Sequence, residues 1–278
     1  QYAAPGKNLA DLNPTTQNGF YSTLGGETTT IGNQYTTSNV TVADYGSIML
    51  TGFARLNNMD ISANGTMTVF GAGVSRGAFA RTTLNGASGD VTFAGTSGTL
   101  YLGRIVGGSS GTWNLNLTGS NHIGLGPVST ATELSGTTIN INGTGSLDIV
   151  TGALNPVAST KIVIGSESGG IRIVNGVNAG LTTGSVVAAD ANVTQTADAY
   201  LDHLGTGTDT FGSNTSSWLL PSGSTLNANI TEGTLVLNHK LNDGGSNDAT
   251  VIKYGKGTLV LAGSQASAYG AVTGGTDA

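Results

Sequence analysis

Apolar residues along this chain fall two apart over short runs, and Gly, Asn and Asp separate the runs. Within residues 112–117 the apolar positions are Trp113, Leu115 and Leu117; within 138–141 they are Ile139 and Ile141; within 146–150 they are Leu147 and Ile149. A period of two puts one face of a strand in a core and the other in water. Read this way, strands of three to five residues begin at Thr28 and continue through 171–174, spaced about 8 to 14 residues apart. They resume at 218–220, 225–230, 234–237, 250–253 and 258–261.

A β-sandwich and a β-solenoid share that rhythm, and the repeats favour the solenoid. A unit of Gly, a small hydroxyl residue and alternating apolar residues recurs. It stands at Gly46-Ser-Ile-Met-Leu50, Gly65-Thr-Met-Thr-Val69, Gly98-Thr-Leu-Tyr-Leu102, Gly111-Thr-Trp-Asn-Leu115 and Gly145-Ser-Leu-Asp-Ile149. Gly233-Thr-Leu-Val-Leu237 and Gly257-Thr-Leu-Val-Leu261 are near-identical copies, set apart by one period of the length that solenoid coils use. The interval from Gly46 to Gly65 is of the same order, whereas those from Gly65 to Gly98, Gly98 to Gly111 and Gly111 to Gly145 are irregular. A period in the twenties, very short strands, and Gly and Asn at strand ends describe coils that turn a corner every few residues. The expectation is an all-β parallel β-helix of about 22 residues per coil.

The chain divides into four stretches on this reading. Residues 1–27, with Pro5 and Pro14 and no apolar periodicity, form an N-terminal arm or cap. Residues 28–174 are solenoid coils. Residues 175–216 break the rhythm as a lateral excursion. Within it, 191–204 is expected to be a short helix, because Ala197, Tyr200, Leu201 and Leu204 stand three and four apart and Gly205 follows. Residues 217–278 return to coils. The chain begins at Gln1 rather than Met and ends without an evident polar cap. Both features read as a processed chain or a fragment, or as an end that a neighbouring subunit covers.

The segment Lys253-Tyr-Gly-Lys-Gly-Thr-Leu-Val-Leu-Ala-Gly263 resembles the autotransporter-associated β-strand repeat, with the likeness extending over residues 222–263. The turn Ser264-Gln-Ala-Ser-Ala-Tyr-Gly270 is close to that family's Asn- and Tyr-rich turn. The resemblance implies a single-stranded, right-handed parallel β-helix that serves as a stalk, adhesin or passenger at a bacterial cell surface. It brings no catalytic residues with it.

Composition narrows the partners. Charged residues make up only 9% of the 278 and Gly contributes 45, so neutral hydroxyls and amides carry solubility and long surface helices are disfavoured. The net charge is −6 and Lys and Arg form no cluster, which argues against nucleic acid. No apolar run reaches the length of a membrane-spanning helix. The absence of cysteine suits a protein exported through an oxidising compartment.

Candidate chemistry is sparse. His122, His203 and His239 are far apart and lack a second ligand at metal spacing. Gly165-Ser-Glu-Ser-Gly169 has the letters of a nucleophile elbow but lies between strands, so it reads as a turn. Paired carboxylates are the serious enzymatic option, since a glycan-cleaving site needs acids converging on one lateral face. Asp44, Asp60, Asp148 and Glu232 are dispersed, and the acidic group Asp190, Asp198, Asp202 and Asp209 has only Tyr200 and His203 for company. Residues 242–248 offer oxygens without a calcium-loop framework. The Gly-rich stretch 107–111 lacks the lysine of a phosphate cradle.

The expected function is therefore a secreted structural or surface protein, a filament subunit or adhesin-like stalk. It is not an enzyme, has no cofactor, metal or catalytic residues, and assembles head-to-tail through its solenoid ends, with the N-terminal arm as a further contact. A surface glycan or host receptor is the expected outside partner, with no nucleic acid and no membrane insertion. The alternative is a glycan-binding or polysaccharide-degrading β-helix acting through its lateral face near residues 191–209.

Overall fold

The computed structural model describes residues 20–22, 28–31, 34–35, 39–50, 54–69, 76–95, 98–102, 104–107, 112–125, 136–150, 160–165, 168–174, 191–245, 248–263 and 271–274. All regular structure among them is parallel β-strand, arranged as sheets of 14, 10 and 3 strands. The chain passes through the first and second sheets in alternation, and the register repeats from coil to coil. Val91 pairs with Leu115, Leu115 with Ile139 and Ile139 with Ile162, a nearly constant step along the chain. The step is shorter from Ile48 to Met67 and longer from Ile162 to Val193. The third sheet joins only in the last coils, through Thr208–Phe211, Thr234–Leu237 and Thr258–Leu261. The protein is a β-solenoid, as the alternation and the repeats imply.

The core is a set of columns along the axis. Ile123, Leu147, Ile171 and Leu201 stack in register from the first sheet, each fully buried. Each such side chain contributes about 1.5–3 kcal/mol by leaving water, and the contribution is repeated in every coil. Outside, amide ladders tie neighbouring coils together: Asn140 donates to Asn116 Oδ1 at 2.9 Å and Asn114 to Asp90 Oδ1 at 2.6 Å.

Glycine sets the spacing at one corner. A Cβ built on Gly119 would lie 1.9 Å from the Gly95 carbonyl oxygen, one on Gly143 would lie 2.1 Å from Gly119 O, and one on Gly169 would lie 2.4 Å from Gly143 O. Coils can stack there at the roughly 4.8 Å strand separation only because no side chain intervenes. The glycines of residues 253–263 are equally constrained. Gly255 has φ +76 and its Cβ would meet Ile230 O at 2.3 Å, while a Cβ on Gly257 would meet Ile230 Cγ2 at 2.6 Å.

Residues 191–204 do not form the expected helix. They form two strands, Asn192–Gln195 and Ala199–His203, joined by a bend at 196–197. Val193, Gln195, Ala199, Leu201 and His203 point inward, and Tyr200 and Asp202 outward. The spacing of three and four arises because Ala197 sits in the bend and the apolar residues Tyr200 and Leu204 lie at the part-exposed positions that alternate with the buried ones. Pairing with Gly170–Val174 on one side and Thr225–Ile230 on the other satisfies the backbone of Ala199–His203 and overrides the local helical pattern. Residues 1–19 of the expected arm and 175–190 of the expected excursion lie outside the described residues.

Candidate functional site

The outward face of the first sheet carries one polar cluster built from four successive strands: His122–Leu125, Ser146–Val150, Gly170–Val174 and Ala199–His203. Parallel register aligns them in two rows. One row runs His122, Ser146, Gly170, Tyr200, and the other Gly124, Asp148, Arg172, Asp202. The intervening positions Ile123, Leu147, Ile171 and Leu201 face the core, so the period-two alternation itself aims the polar residues outward.

Ser146 Oγ donates to Asp148 Oδ1 at 2.6 Å, and His122 Nδ1 lies 2.7 Å from the same hydroxyl. A serine hydroxyl has one proton, and here it goes to the carboxylate. The imidazole therefore donates through Nδ1–H and the serine accepts. This order, imidazole to hydroxyl to carboxylate, is not that of a hydrolytic triad, in which the serine gives its proton to the imidazole. Arg172 Nε stands 3.5 Å from Asp148 Oδ1, with the carboxylate 2% exposed. Among the described residues that buried Nε makes no hydrogen bond, and the Asp202 side chain makes none either.

Burial dominates the electrostatics. It pushes the Asp148 carboxyl above the ordinary aspartate value, while Arg172, the Ser146 hydrogen bond and His122 pull it back. Burial also raises Asp202, with Arg172 opposing and Asp148 reinforcing. His122 is held below its usual value by burial and by the Arg172 charge, against the pull of Asp148. Burial raises the Tyr200 phenol as well.

Two tyrosine rings flank the cluster, each laid over a glycine. A Cβ on Gly124 would lie 2.5 Å from Tyr101 Cδ1, and one on Gly170 would lie 2.4 Å from Tyr200 Cδ2. The Tyr200 hydroxyl donates to Thr144 O at 3.4 Å. The arrangement presents carboxylate acceptors, a guanidinium donor and two half-buried rings on one face.

The other candidate residues go elsewhere. His203 is fully buried inside the solenoid, with Nε2 2.8 Å from the equally buried Asp209 Oδ2 and Nδ1 3.0 Å from Glu232 O. His239 lies in the same interior, its ring 4.7 Å from Phe211 and 5.8 Å from Trp218, with Nε2 3.0 Å from Ala191 O. Asp198, which borders a shallow polar groove lined by Pro221 and Ser222, accepts from Thr225 N at 2.7 Å. Asp44 accepts from Asn64 at 3.1 Å, and Asp60 has Thr41 and Thr83 as its register partners. Asn242 and Asp243 accept from Gly244 N and Gly245 N, as in a side-chain-closed turn. Asp190 and the centres of 107–111 and 165–169 lie outside the described residues.

Two sequence expectations need correction. Asp148 is not a dispersed acid, because the register sets it two coils from Asp202 on one face. The acidic group around Asp202 does have a basic companion: Arg172, one coil earlier, is its register partner. Stacking positions 124, 148, 172 and 202 by coil would have revealed both.

No family model, curated protein or solved structure matches the chain. The class it belongs to is thus defined by the fold: a parallel β-solenoid bearing a polar cluster on its lateral face.

Proposed function

We propose that this protein is an exported structural solenoid, a stalk or filament subunit at a bacterial surface, built on autotransporter-type repeats and extended by stacking of its ends. One observation carries the reading. Leu235 and Leu237 are fully buried, yet their register partners Leu259 and Leu261, one coil on, are only partly covered, and Val260 is 39% exposed. Thr258–Leu261 pairs with Thr234–Leu237 on one side and has no strand partner on the other among the described residues. An apolar inner row and a free strand edge together suit the arrival of another parallel coil.

The test is electron microscopy of the purified chain across a concentration series. Fibres that lengthen with concentration, and that Leu261→Lys abolishes, are expected. Short single rods at every concentration would refute assembly through this end.

A second reading, a glycan-binding or glycan-cleaving lateral face, draws support from the His122–Asp202 cluster. In a chain with 9% charged residues, Asp148, Arg172 and Asp202 occupy consecutive places in one row.

A further inference from the structure

The lateral cluster differs from the amide ladders of the second sheet in a way that points to a ligand. On the second sheet, neighbouring coils are tied by ladders such as Asn140 to Asn116 and Asn114 to Asp90, whose side chains bond to each other. Here the outermost groups are left over. Among the described residues the Asp202 side chain has no hydrogen bond, and Arg172 reaches Asp148 only at 3.5 Å with its buried Nε unbonded. A buried polar atom without a partner costs about 1–3 kcal/mol, and Arg172 Nε is such an atom, while the half-buried Asp202 carboxyl stands open to a donor.

The charges select the kind of ligand. Two carboxyls repel an anion, and Arg172 repels a cation placed between them. A neutral molecule with several hydroxyls satisfies both, giving protons to Asp202 and accepting from the guanidinium. The rings add a second requirement. Tyr101 leans over Gly124 and Tyr200 over Gly170, so the two lie on either side of the Ser146–Asp148 strand. Strand spacing puts Gly124 and Gly170 about 10 Å apart along the axis. A ligand with apolar C–H faces and hydroxyl edges, repeated along its length, meets both demands.

We infer that the face carrying Tyr101, His122, Asp148, Arg172, Tyr200 and Asp202 binds a neutral oligosaccharide chain lying along the solenoid axis. The inference rests on the lateral-face reading and specifies its ligand. Asp202 and Arg172 hold the hydroxyl edge, and the tyrosines carry the ring faces. Ser146 and His122 are positioning residues that fix the Asp148 carboxylate.

Calorimetric titration of the full chain with cellohexaose, xylohexaose and mannohexaose, beside the anionic hexagalacturonate, tests this. At least one neutral hexasaccharide is expected to bind. Asp202→Ala and Tyr200→Ala should each weaken it tenfold or more with the melting temperature little changed, and Lys161→Ala on the second sheet should leave it intact. Neutral binding that survives both lateral variants would overturn the site. Binding of hexagalacturonate alone, lost in those variants, would overturn the neutral ligand class and leave the lateral-face reading standing. Binding of none of the four would overturn both.

Discussion

Substitution of three glycines separates backbone strain from coil spacing. Gly119 has φ +88, and its Cβ would fall 1.9 Å from Gly95 O. Gly223 has φ +72 with nothing within 4 Å, and Gly207 has neither a positive φ nor a neighbour. Alanine at Gly223 meets only the left-handed conformation, at a cost of about 1 kcal/mol. Alanine at Gly207 is expected to be neutral or to stabilise by about 0.5 kcal/mol through the unfolded chain. Gly119→Ala must also push the Gly95 carbonyl away by roughly 1 Å, against strand stacking near 4.8 Å. That carbonyl accepts from Ser120 N at 3.0 Å, so a hydrogen bond worth about 1 kcal/mol goes with it, and contacts in the adjoining core loosen. The total for Gly119→Ala is about 3 kcal/mol. Urea unfolding followed by tryptophan fluorescence reads all three, since Trp113 lies in the same strand as Gly119 and Trp218 lies farther along the stack. Should Gly119→Ala prove no more destabilising than Gly223→Ala, glycine-set coil spacing is wrong.

Two further outcomes follow from the buried and half-buried acids. His203 Nδ1 faces a carbonyl that can only accept, so that nitrogen carries a proton, and a second proton must lie between Nε2 and Asp209 Oδ2. Asp209→Asn keeps a donor toward Nε2 and should cost about 1 kcal/mol, whereas Asp209→Ala strands the imidazole and should cost about 3 kcal/mol or more; equal melting temperatures for the two variants would contradict this. On the lateral face, burial raises Asp202 above the ordinary value of 3.8, so the folded chain holds this proton to higher pH than the unfolded one. Its contribution is fully present below the unfolded value and is lost as pH rises through the raised one, so Asp202→Asn should flatten the decline in stability above pH 3.8. Urea midpoints taken at intervals from pH 3.5 to 7 check it (about the range that brackets a raised carboxyl), and an unchanged slope would count against a buried Asp202. His122 acts oppositely: its lowered value withdraws stability as pH falls below 6.5, and Asp202→Asn leaves that limb in place.

The solenoid was legible because alternation and spacing are local. The irregular intervals between the middle repeat units have a simple cause in the fold. The units at Gly46, Gly65 and Gly111 lead into second-sheet strands, whereas those at Gly98 and Gly145 lead into first-sheet strands. An interval within one sheet measures a whole coil, and an interval between sheets measures a fraction or an excess of one. Residues 191–204 misled for another reason. The inward positions keep one parity through the bend at 196–197, but Tyr200 and Leu204 are apolar residues at the alternate, part-exposed positions, and together with Ala197 and Leu201 they imitate a helical stripe. The lateral cluster was hidden because no short window on the sequence contains it. His122 and Asp202 stand on its first and last strands, and their neighbourhood exists only once each coil is laid on the last.

That dependence on register explains how a chain so poor in charge concentrates it. In a parallel stack, one residue per coil occupies a given outward row, and its neighbours in the row lie about 4.8 Å away whatever the length of the connections. The step from Ile162 to Val193 is longer than the one from Ile139 to Ile162, yet Arg172 still meets Asp202. Connections can therefore lengthen without disturbing the site. The strands have no such freedom, because a one-residue slip within Ala199–His203 would turn Tyr200 and Asp202 inward and Leu201 and His203 outward. Buried Leu201 holds that register, and so does His203, clamped by Asp209 and the Glu232 carbonyl. The interior His203–Asp209 hydrogen bond is then more than a tolerated polar contact in the core. It occupies the strand whose opposite face presents Asp202, and it penalises the slip that would remove that carboxylate from the lateral face.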